Sequence, residues 1–377
     1  MLSLPATALV LSLSLQSAPQ IEEGTIVPAD RYDVEILATD LEQPWNLSWL
    51  PSGDMLVTER SGDLRIIRDG EMLPTPVGGI PDLYVEDQSG LFEAEPHPDF
   101  AENNLLYLTY AAGTKRNNSL VLARGTFVET DVGGQIENLE VLFTTAPGRR
   151  NGYHYGGRIA WAGDGTLFLT SGEGYEYMKQ AQSLDNHFGK VLRLTEDGTA
   201  APGNPFEGQD DAMAEIWSYG HRNPQGIALT PEGTIYVNEH GPKGGDELNI
   251  ITPGTNYGWP VITYGIDYSG APITPFKEME GMAQPLFHWT PSIAPSTLLY
   301  YQGTDFPEWQ GMLMSGSLAY NHIRITDPEN PAGEQWELLK ERDRRIRDVA
   351  VGPDGALYAT TENRYSPGGE VLRITPR

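Results

Sequence analysis

Residues 157–174, GRIAWAGDGTLFLTSGEG, carry the pattern that decides the fold. An apolar stretch is followed by a Gly turn and by a second apolar stretch that ends in Thr. A further apolar segment, GKVLRL, follows at 189–194. Short apolar runs bounded by Gly, Asp and Ser are typical of antiparallel strands joined by tight turns. This stretch therefore predicts a unit of three or four short strands.

The same unit returns at irregular spacing along the chain. Close copies occupy residues 32–70, 226–251 and 346–374, and looser copies occupy 91–127 and 295–327. Such a unit cannot bury both of its faces alone, so its repeats indicate the blades of a β-propeller. Counting them predicts an all-β, six-bladed propeller, in which the early strand at 32–37 completes the last blade and closes the ring.

A pair of β-sandwiches is the alternative fold, because sandwiches also consist of short strands with turn signals. They do not explain why the phrase of a Gly turn, an apolar run and a closing Thr recurs four times. Although 377 residues would by length alone suggest two or three domains, the repetition predicts one propeller domain over residues 32–377.

The amino terminus predicts export. Residues 2–15 are apolar or small, and Gln16, Ser17 and Ala18 follow, which resembles a signal peptide over residues 1–18 although no Lys or Arg precedes it. A polar linker is expected at 19–31. The apolar run is too short for a membrane span, and no later segment reaches the ~18 apolar residues that one needs. We expect a periplasmic or secreted protein without stable membrane insertion.

Charge and composition narrow the ligand class. The chain carries 52 acidic residues against 25 Lys and Arg, a formal charge of −27, so it would repel nucleic acid. Neutral small molecules or cations suit it better. With no cysteine, it has no disulfide, no thiolate metal site and no cysteine nucleophile.

Candidate functional residues are spread over several repeats, as expected when loops at one end of the blades converge on the axis. They stand beside glycines or at strand edges, and the densest group lies within 215–265. The candidates from all repeats are Gln88, His154, Arg222, Asn223, Arg345 and Arg347. Three arginines converging on the axis would bind a multiply anionic ligand, because a guanidinium fork binds carboxylates in a bidentate way. A tricarboxylate cofactor suits that arrangement.

Several phrases resemble the glucose/sorbosone dehydrogenase family, and within it the soluble aldose sugar dehydrogenases that use pyrroloquinoline quinone. The phrases are HYGGRIAWAGDGTLFLTSGEG, EIWSYGHRNPQGIAL, EHGPKGGDELNIITPGTNYGWP and RIRDVAVGPDGALY, within a resemblance that covers about residues 41–375. It implies a six-bladed propeller, in agreement with the repeats. It also implies oxidation of aldoses at C1 to lactones, with hydride transfer to the quinone and an external electron acceptor.

The resemblance implies a role for each matching residue. His154 matches the catalytic base and Glu173 the acidic residue that orients it. The cofactor contacts match Gln88, Arg222, Asn223, Tyr268, Arg345 and Arg347. A calcium ion that polarises the quinone would be held by the carbonyls of Gly241 and Pro242, and a second calcium site matches Glu247 and Tyr257. Histidine suits proton abstraction near neutral pH, and calcium prefers oxygen ligands.

Two positions depart from the family pattern. Ala319 stands where the family usually offers a Lys to the cofactor, so one cationic contact is lost. Glu173 stands where Asp is common, and it can orient the histidine with a shift of one methylene.

Two other functions stay open. A calcium-dependent lactonase would hold its metal on carboxylate and Asn side chains and would have no use for three arginines. A propeller that binds its ligand without catalysis is the other alternative, and Ala319 favours it. The sequence does not separate monomer from homodimer, and it does not identify the aldose or the electron acceptor.

Overall fold

The computed structural model describes residues 17–363 and 367–377. In these residues the long strands form six antiparallel sheets. Each sheet contacts the next through strands near the axis, and the last and first sheets also touch, so the ring is closed. The prediction of an all-β, six-bladed propeller is confirmed.

Each blade is built mainly from one contiguous part of the chain, and amino-terminal strands add to blades 4, 5 and 6. The amino-terminal strands are β1 (Gln20–Ile21), β2 (Thr25–Ile26) and β3 (Tyr32–Leu41). Blade 1 has β4 (Pro44–Trp49), β5 (Met55–Glu59), β6 (Leu64–Arg68) and β7 (Glu71–Met72). Blade 2 has β8 (Leu91–Pro96), β9 (Leu105–Thr114), β10 (Asn117–Thr130) and β11 (Gly133–Thr144). Blade 3 has β12 (Gly156–Trp161), β13 (Thr166–Ser171), β14 (Lys190–Thr195) and β15 (Ile216–Tyr219).

The second half of the ring repeats this arrangement. Blade 4 has β16 (Pro224–Leu229), β17 (Ile235–Glu239), β18 (Asp246–Ile250) and β19 (Phe287–Trp289). Blade 5 has β20 (Leu299–Tyr300), β21 (Leu313–Gly316), β22 (Ile323–Thr326) and β23 (Gln335–Leu338). Blade 6 has β24 (Arg345–Val351), β25 (Leu357–Glu362) and β26 (Gly369–Pro376). The short helix α1 (Phe100–Asn103) and 3-10 turns at Ala29–Arg31, Met178–Gln182, Pro307–Trp309 and Lys340–Arg342 lie in the connections.

The two ends of the chain close the ring. Strand β3 pairs antiparallel with β26, from Tyr32 opposite Pro376 to Leu41 opposite Gly369. The predicted closure is therefore confirmed, with a strand that runs four residues beyond the expected 32–37. The outermost strand of blade 6 thus comes from the amino-terminal part of the chain.

The segment expected as a polar linker is more ordered than its sequence indicates. Strand β1 adds in parallel to β19 of blade 4, and β2 adds in parallel to β23 of blade 5. Strands of two residues leave no periodic pattern, so the sequence did not indicate them. The expected signal peptide falls almost entirely on residues 1–16, outside the described residues. No helix in 17–363 or 367–377 has the length and apolar character that a membrane span needs.

The middle strands are apolar on both faces because each blade is packed between two others. In β5, Met55 and Val57 belong to the core between blades 6 and 1, whereas Leu56 belongs to the core between blades 1 and 2. In β13, Leu167 and Leu169 face blade 2 while Phe168 faces blade 4. Buried apolar residues form such a cluster at each of the six blade interfaces in the described chain. This double burial explains the continuous apolar run in the repeated phrase.

The Thr that closes the repeated phrase joins neighbouring blades. The Thr58 hydroxyl accepts a hydrogen bond from the Asn46 amide (3.0 Å) and donates to the Phe92 carbonyl of blade 2 (2.7 Å). Thr109 does the same for blades 2 and 3, donating to the Gly157 carbonyl at 2.6 Å. In blade 4 the equivalent residue is Asn238, whose amide donates to the Thr297 carbonyl at 2.6 Å. Each Thr hydroxyl thus satisfies backbone groups of two blades at once, whereas the Asn238 amide bonds only the backbone that leads into blade 5.

Bulges in the innermost strands turn polar side chains toward the axis. The register shifts near the start of β4, β8, β12, β16 and β24. A β-bulge changes the direction of a side chain. The result is a buried polar centre, in which the guanidinium of Arg158 is the central group.

Arg158, on blade 3, contacts groups from the other five blades. Its guanidinium lies 4.0 Å from the Trp45 ring of blade 1 and 3.0 and 3.1 Å from the carboxylates of Glu93 and Asp348, of blades 2 and 6. It donates to the Gln225 carbonyl of blade 4 (3.0 Å) and to the Ser296 carbonyl at the entry to blade 5 (2.9 Å). Only 5 % of its side chain is exposed, so these bonds form in a poorly solvated interior.

The Arg158 centre gives a stability prediction. Arg158→Met should lower the free energy of unfolding by about 3–5 kcal/mol, because it leaves Glu93 and Asp348 buried without a counter-charge. Urea unfolding followed by Trp fluorescence measures the change. Adding Glu93→Gln and Asp348→Asn to the same chain should restore part of the loss, because the uncompensated charges are then removed.

Arg31→Met is the matched control. Arg31 pairs with Glu308 at 2.8 Å, but the two side chains are 60 % and 43 % exposed. Exposed pairs contribute about 0–1 kcal/mol, so this variant should unfold close to wild type. Equal losses for Arg31→Met and Arg158→Met would contradict the central role of Arg158.

Candidate active site

A cavity of about 510 Å³ opens at the end of the ring where the innermost strands begin. Its lining combines aromatic rings, amides and charged groups from several blades. The residues that line it include Gln43, Trp45, Arg60, Asp87, Gln88, Phe92, Tyr153, Asn223, Gln225, His240, Tyr268, Ala319, Arg345, Arg347 and Glu362. The structure therefore brings Gln88, Asn223, Tyr268, Arg345 and Arg347 together, as the sequence predicts.

Arg345 and Arg347 share one carboxylate. Both lie at the start of β24, and each donates two hydrogen bonds to Glu362 on the adjacent strand, at 2.9 to 3.1 Å. Burial raises the pKa of Glu362, but the two guanidinium groups outweigh it and hold that pKa below its usual value. Arg60 is a third guanidinium on the lining. Among the described lining residues, three arginines thus face the two carboxylates of Asp87 and Glu362, which leaves the wall basic.

His154 lies beside this cavity, behind lining residues Tyr153 and Tyr155. Only 5 % of the residue is exposed, and its backbone is in the left-handed region (φ 51°). The Gln88 side chain accepts a hydrogen bond from its amide at 3.0 Å, and Arg149 donates to its carbonyl at 2.6 Å. Two side chains therefore hold the strained backbone that positions the imidazole.

Glu173 orients the imidazole. Its Oε1 lies 3.1 Å from Nδ1 of His154, and Glu173 is 1 % exposed. A carboxylate accepts the Nδ1 proton, so this contact assigns the tautomer that leaves the Nε2 lone pair free. In the described chain Nε2 has no hydrogen-bond partner. The predicted pairing of His154 with Glu173 is thus present in the geometry.

Burial lowers the pKa of His154, and the nearby positive charge of Arg222 lowers it further. Glu173 opposes both effects. Burial and Arg222 together outweigh Glu173 and lower the pKa, so the imidazole is neutral near neutral pH. A neutral, oriented imidazole with a free Nε2 can accept a proton.

Arg222 lies next to the large cavity rather than on its lining. It borders a smaller cavity of about 10 Å³, and His240 borders both. Its Nη1 donates to the carbonyls of His240 (3.1 Å) and Gly241 (2.8 Å), and its Nε is buried without a partner in the described chain. The expected convergence of Arg222, Arg345 and Arg347 on one ligand is therefore only partly seen, because the Arg222 guanidinium is held by two carbonyls.

The residues predicted to bind calcium offer suitable oxygen atoms, but the Gly241 carbonyl and the Tyr257 hydroxyl already take part in hydrogen bonds. Carbonyl and carboxylate oxygens suit calcium, yet the Gly241 carbonyl accepts the Arg222 guanidinium. The Tyr257 hydroxyl is bonded to the Ile250 carbonyl (2.6 Å) and the Thr252 amide (2.9 Å), so only its carbonyl could be a ligand. Glu247 lies near Glu239, and burial together with that charge raises its pKa. The described residues contain no cluster of three metal-binding His, Cys, Asp or Glu side chains. Pro242, the other expected carbonyl ligand, follows Gly241 and is buried.

Three lining residues were missed although the repeat could have shown them. Arg60, His240 and Glu362 each stand two positions after the residue that closes the apolar phrase, namely Thr58, Asn238 and Thr360. They occupy the same place at the cavity end of the middle strand in blades 1, 4 and 6. Burial and Arg222 lower the pKa of His240 to about 3, and its Nε2 lies 2.6 Å from the Pro295 carbonyl. Aligning the repeats residue by residue would have identified all three.

The environment of His154 gives a titration prediction. Glu173→Gln should lower the pKa of His154 further, because it removes the charge that opposes burial. Arg222→Gln should raise that pKa, because it removes a nearby positive charge. The NMR titration of the imidazole Cε1–H, assigned with His154→Gln, measures both shifts. Shifts in the same direction for the two variants would show that Glu173 and Arg222 do not control this proton.

Comparison with known proteins agrees with this geometry. The model of the family described as Glucose / Sorbosone dehydrogenase matches residues 41–373. The aldose sugar dehydrogenase YliI of Escherichia coli (strain K12) is 39 % identical over 92 % of this chain and 93 % of its own. The apo crystal structure of the soluble E. coli aldose sugar dehydrogenase superposes with a TM-score of 0.85 at 38 % identity, covering 92 % of this chain and 100 % of that one. The PQQ-bound aldose sugar dehydrogenase of Streptomyces coelicolor gives 0.73 at 27 % identity, covering 92 % and 100 %. This chain therefore belongs to the glucose/sorbosone dehydrogenase family.

Proposed function

We propose that this protein oxidises aldose sugars at C1 to lactones and uses pyrroloquinoline quinone as its bound electron acceptor. The observation that carries the proposal is a buried, carboxylate-oriented imidazole beside a cavity with paired guanidinium groups. The relative from Streptomyces coelicolor, whose structure is PQQ-bound, supports the choice of quinone.

The lining suits a planar tricarboxylate. Arg345 and Arg347 together carry more positive charge than Glu362 neutralises, so they can also bind carboxylates of a ligand. Gln88, Asn223 and Tyr268 would add hydrogen bonds from the lining, and the unpartnered Nε of Arg222 is a further donor close by. The bound quinone would supply the two-electron acceptor for the hydride that leaves the anomeric carbon.

His154 would act as the general base. Its Nε2 would take the proton of the C1 hydroxyl as the C1–H bond gives up its hydride, which leaves the lactone carbonyl. Glu173, bonded to Nδ1, would hold the ring in place and stabilise the imidazolium after the transfer. Burial and Arg222 would keep the base neutral beforehand.

Calcium stays a prediction, with Gly241, Pro242, Glu247 and Tyr257 as its proposed ligands. Calcium at the Gly241 carbonyl would lie close to the Arg222 guanidinium that donates to the same oxygen, and the two positive charges would repel each other. The periplasmic or secreted location, the external electron acceptor and the choice between monomer and homodimer are likewise proposed from the sequence alone.

Reconstitution tests the function. Purified protein is titrated with the quinone, with and without calcium, and the absorbance change reports cofactor binding. Reduction of a redox dye on adding glucose or another aldose then reports turnover. Binding of the quinone without dye reduction for any aldose would favour the propeller that binds without catalysis.

His154→Ala separates binding from chemistry. It should lower kcat by about 10²- to 10⁴-fold, which is the usual contribution of a positioned general base. The Kd of the quinone should change less than about twofold, because the quinone would contact the guanidinium groups instead. Turnover close to wild type in the loaded variant would refute the role of His154.

Ala319→Lys tests the departure from the family pattern. Ala319 is exposed on the cavity lining, next to Leu318, whose carbonyl accepts Arg345 Nη1 at 2.6 Å. A cation there should tighten quinone binding about fivefold, because partly exposed ion pairs contribute up to about 1 kcal/mol. Ala319→Met is the control of similar length without charge. The gain should diminish in high salt, and equal Kd values for the Lys and Met variants would contradict the prediction.

A further inference from the structure

A second cavity lies on the propeller axis, on the other side of Arg158 from the large one. It has a volume of about 420 Å³ and is called the far cavity below. Strands of blades 1, 2, 5 and 6 form its wall, through residues that include Leu47, Trp49, Glu95, Leu299, Tyr300 and Val351. Small-molecule sites have volumes of about 300–1,000 Å³, so the far cavity is large enough for a ligand.

Glu95 is the charged group of the far cavity. Among the described residues that line the cavity, no other side chain carries a charge at neutral pH. Within 17–363 and 367–377 its carboxyl group forms neither a hydrogen bond nor an ion pair. Glu93, two positions earlier on β8, is by contrast bonded to Arg158 Nη1 at 3.0 Å. The carboxyl group that faces the far cavity is therefore the one without a partner.

The charges along the axis do not balance. Arg158 already pairs with both Glu93 and Asp348, at 3.0 and 3.1 Å, so it has no separate counter-charge for Glu95. Burial, and then the charges of Glu93 and Asp348, raise the pKa of Glu95 to about 8 against the opposing effect of Arg158. The group is thus mainly protonated at neutral pH. A cation in the far cavity would favour its ionised form.

The wall suits an organic cation better than a metal ion. Calcium takes about six to eight oxygen ligands, of which a single carboxylate supplies few. The part of the chain that the structure describes holds no cluster of three metal-binding His, Cys, Asp or Glu side chains. Aromatic rings such as Trp49 and Tyr300 attract ammonium groups, and Leu47, Leu299 and Val351 offer apolar contacts to alkyl groups.

We propose that the far cavity binds a small organic cation, an alkylammonium compound whose nitrogen faces Glu95 and whose alkyl groups contact Trp49 and Tyr300. Trp49 is already fixed, because it packs edge-on against Tyr358 with ring centroids 5.1 Å apart. Little side-chain ordering is then needed on binding. The site goes beyond the proposed sugar oxidation and does not depend on it, because Arg158 separates the two cavities.

Choline is the probe, because 3,3-dimethyl-1-butanol has the same shape with carbon in place of the charged nitrogen. Calorimetric titration of the purified protein near pH 9, where Glu95 is mainly ionised, should show choline binding at least about tenfold tighter than this alcohol. Glu95→Gln keeps the size of the side chain and should remove the preference. Tyr300→Leu should weaken choline binding about threefold, whereas Tyr300→Phe keeps the ring and should not.

Glu102→Gln is the matched control. It removes an exposed carboxylate of α1 in the same blade, outside the lining of the far cavity, and should bind choline as wild type does. Thermal unfolding shows whether each variant is folded. The comparison of choline with its neutral analogue is made in wild type and so needs no variant.

Proton release gives a second test in wild type. Because a bound cation favours ionised Glu95, choline binding near pH 7 should release a proton, and the affinity should fall by up to about tenfold for each pH unit below the pKa. Titrations in two buffers of different ionisation enthalpy measure the release. Absence of choline binding, equal affinities for choline and the alcohol, unchanged affinity in Glu95→Gln, or displacement of choline by a lower concentration of calcium chloride would each overturn the proposal.

Discussion

The guanidinium of Arg158 is the interaction on which the ring depends. Bulges in the innermost strands turn polar groups toward the axis, and a polar centre without partners would cost more than an apolar one. Arg158 solves this by contacting groups from every other blade. It also separates two cavities along the axis. The large one is on the side of Trp45 and Gln225, and another of about 420 Å³, lined by Leu47 and Glu95, is on the other side. The groups around Arg158 therefore close the inner end of the large cavity.

Arg158 also positions residues that line the large cavity. Arg158 bonds the backbone of Gln225 and contacts the ring of Trp45, and both residues line the large cavity. The positions of Trp45 and Gln225 are thus set by innermost strands that are anchored at the axis. His154 lies in the connection between β11 and β12, where Arg149 of the same connection and Gln88 of the β7–β8 connection hold its backbone. A chain with a formal charge of −27 keeps a basic wall here, so a small anion is attracted to the cavity while polyanions are repelled from the surface.

The sequence predicted the features that repeat and missed those that depend on a single backbone conformation. The apolar run and its closing Thr recur because each middle strand is buried on both faces and bonds to the next blade. The six blades and the strand that closes the ring could therefore be predicted from the repeat. Arg60 and Glu362 were missed although their place in the repeat is the same, because the residue type at that place differs from blade to blade. The left-handed backbone of His154 could not be predicted, because it is held by tertiary contacts from Gln88 and Arg149.

Arg222 connects the predicted base with the predicted metal ligands. One guanidinium holds the carbonyls of His240 and Gly241. The same charge lowers the pKa of both His154 and His240, and for His240 the result with burial is about 3. Burial is the main cause of both lowered pKa values, and Arg222, whose position depends on two carbonyl oxygens, adds to it at both imidazoles. A ligand that drew the guanidinium from the Gly241 carbonyl would move this charge relative to both imidazoles. The strength of the base is therefore coupled to whatever occupies that oxygen, because Coulomb energy depends on the distance between the groups.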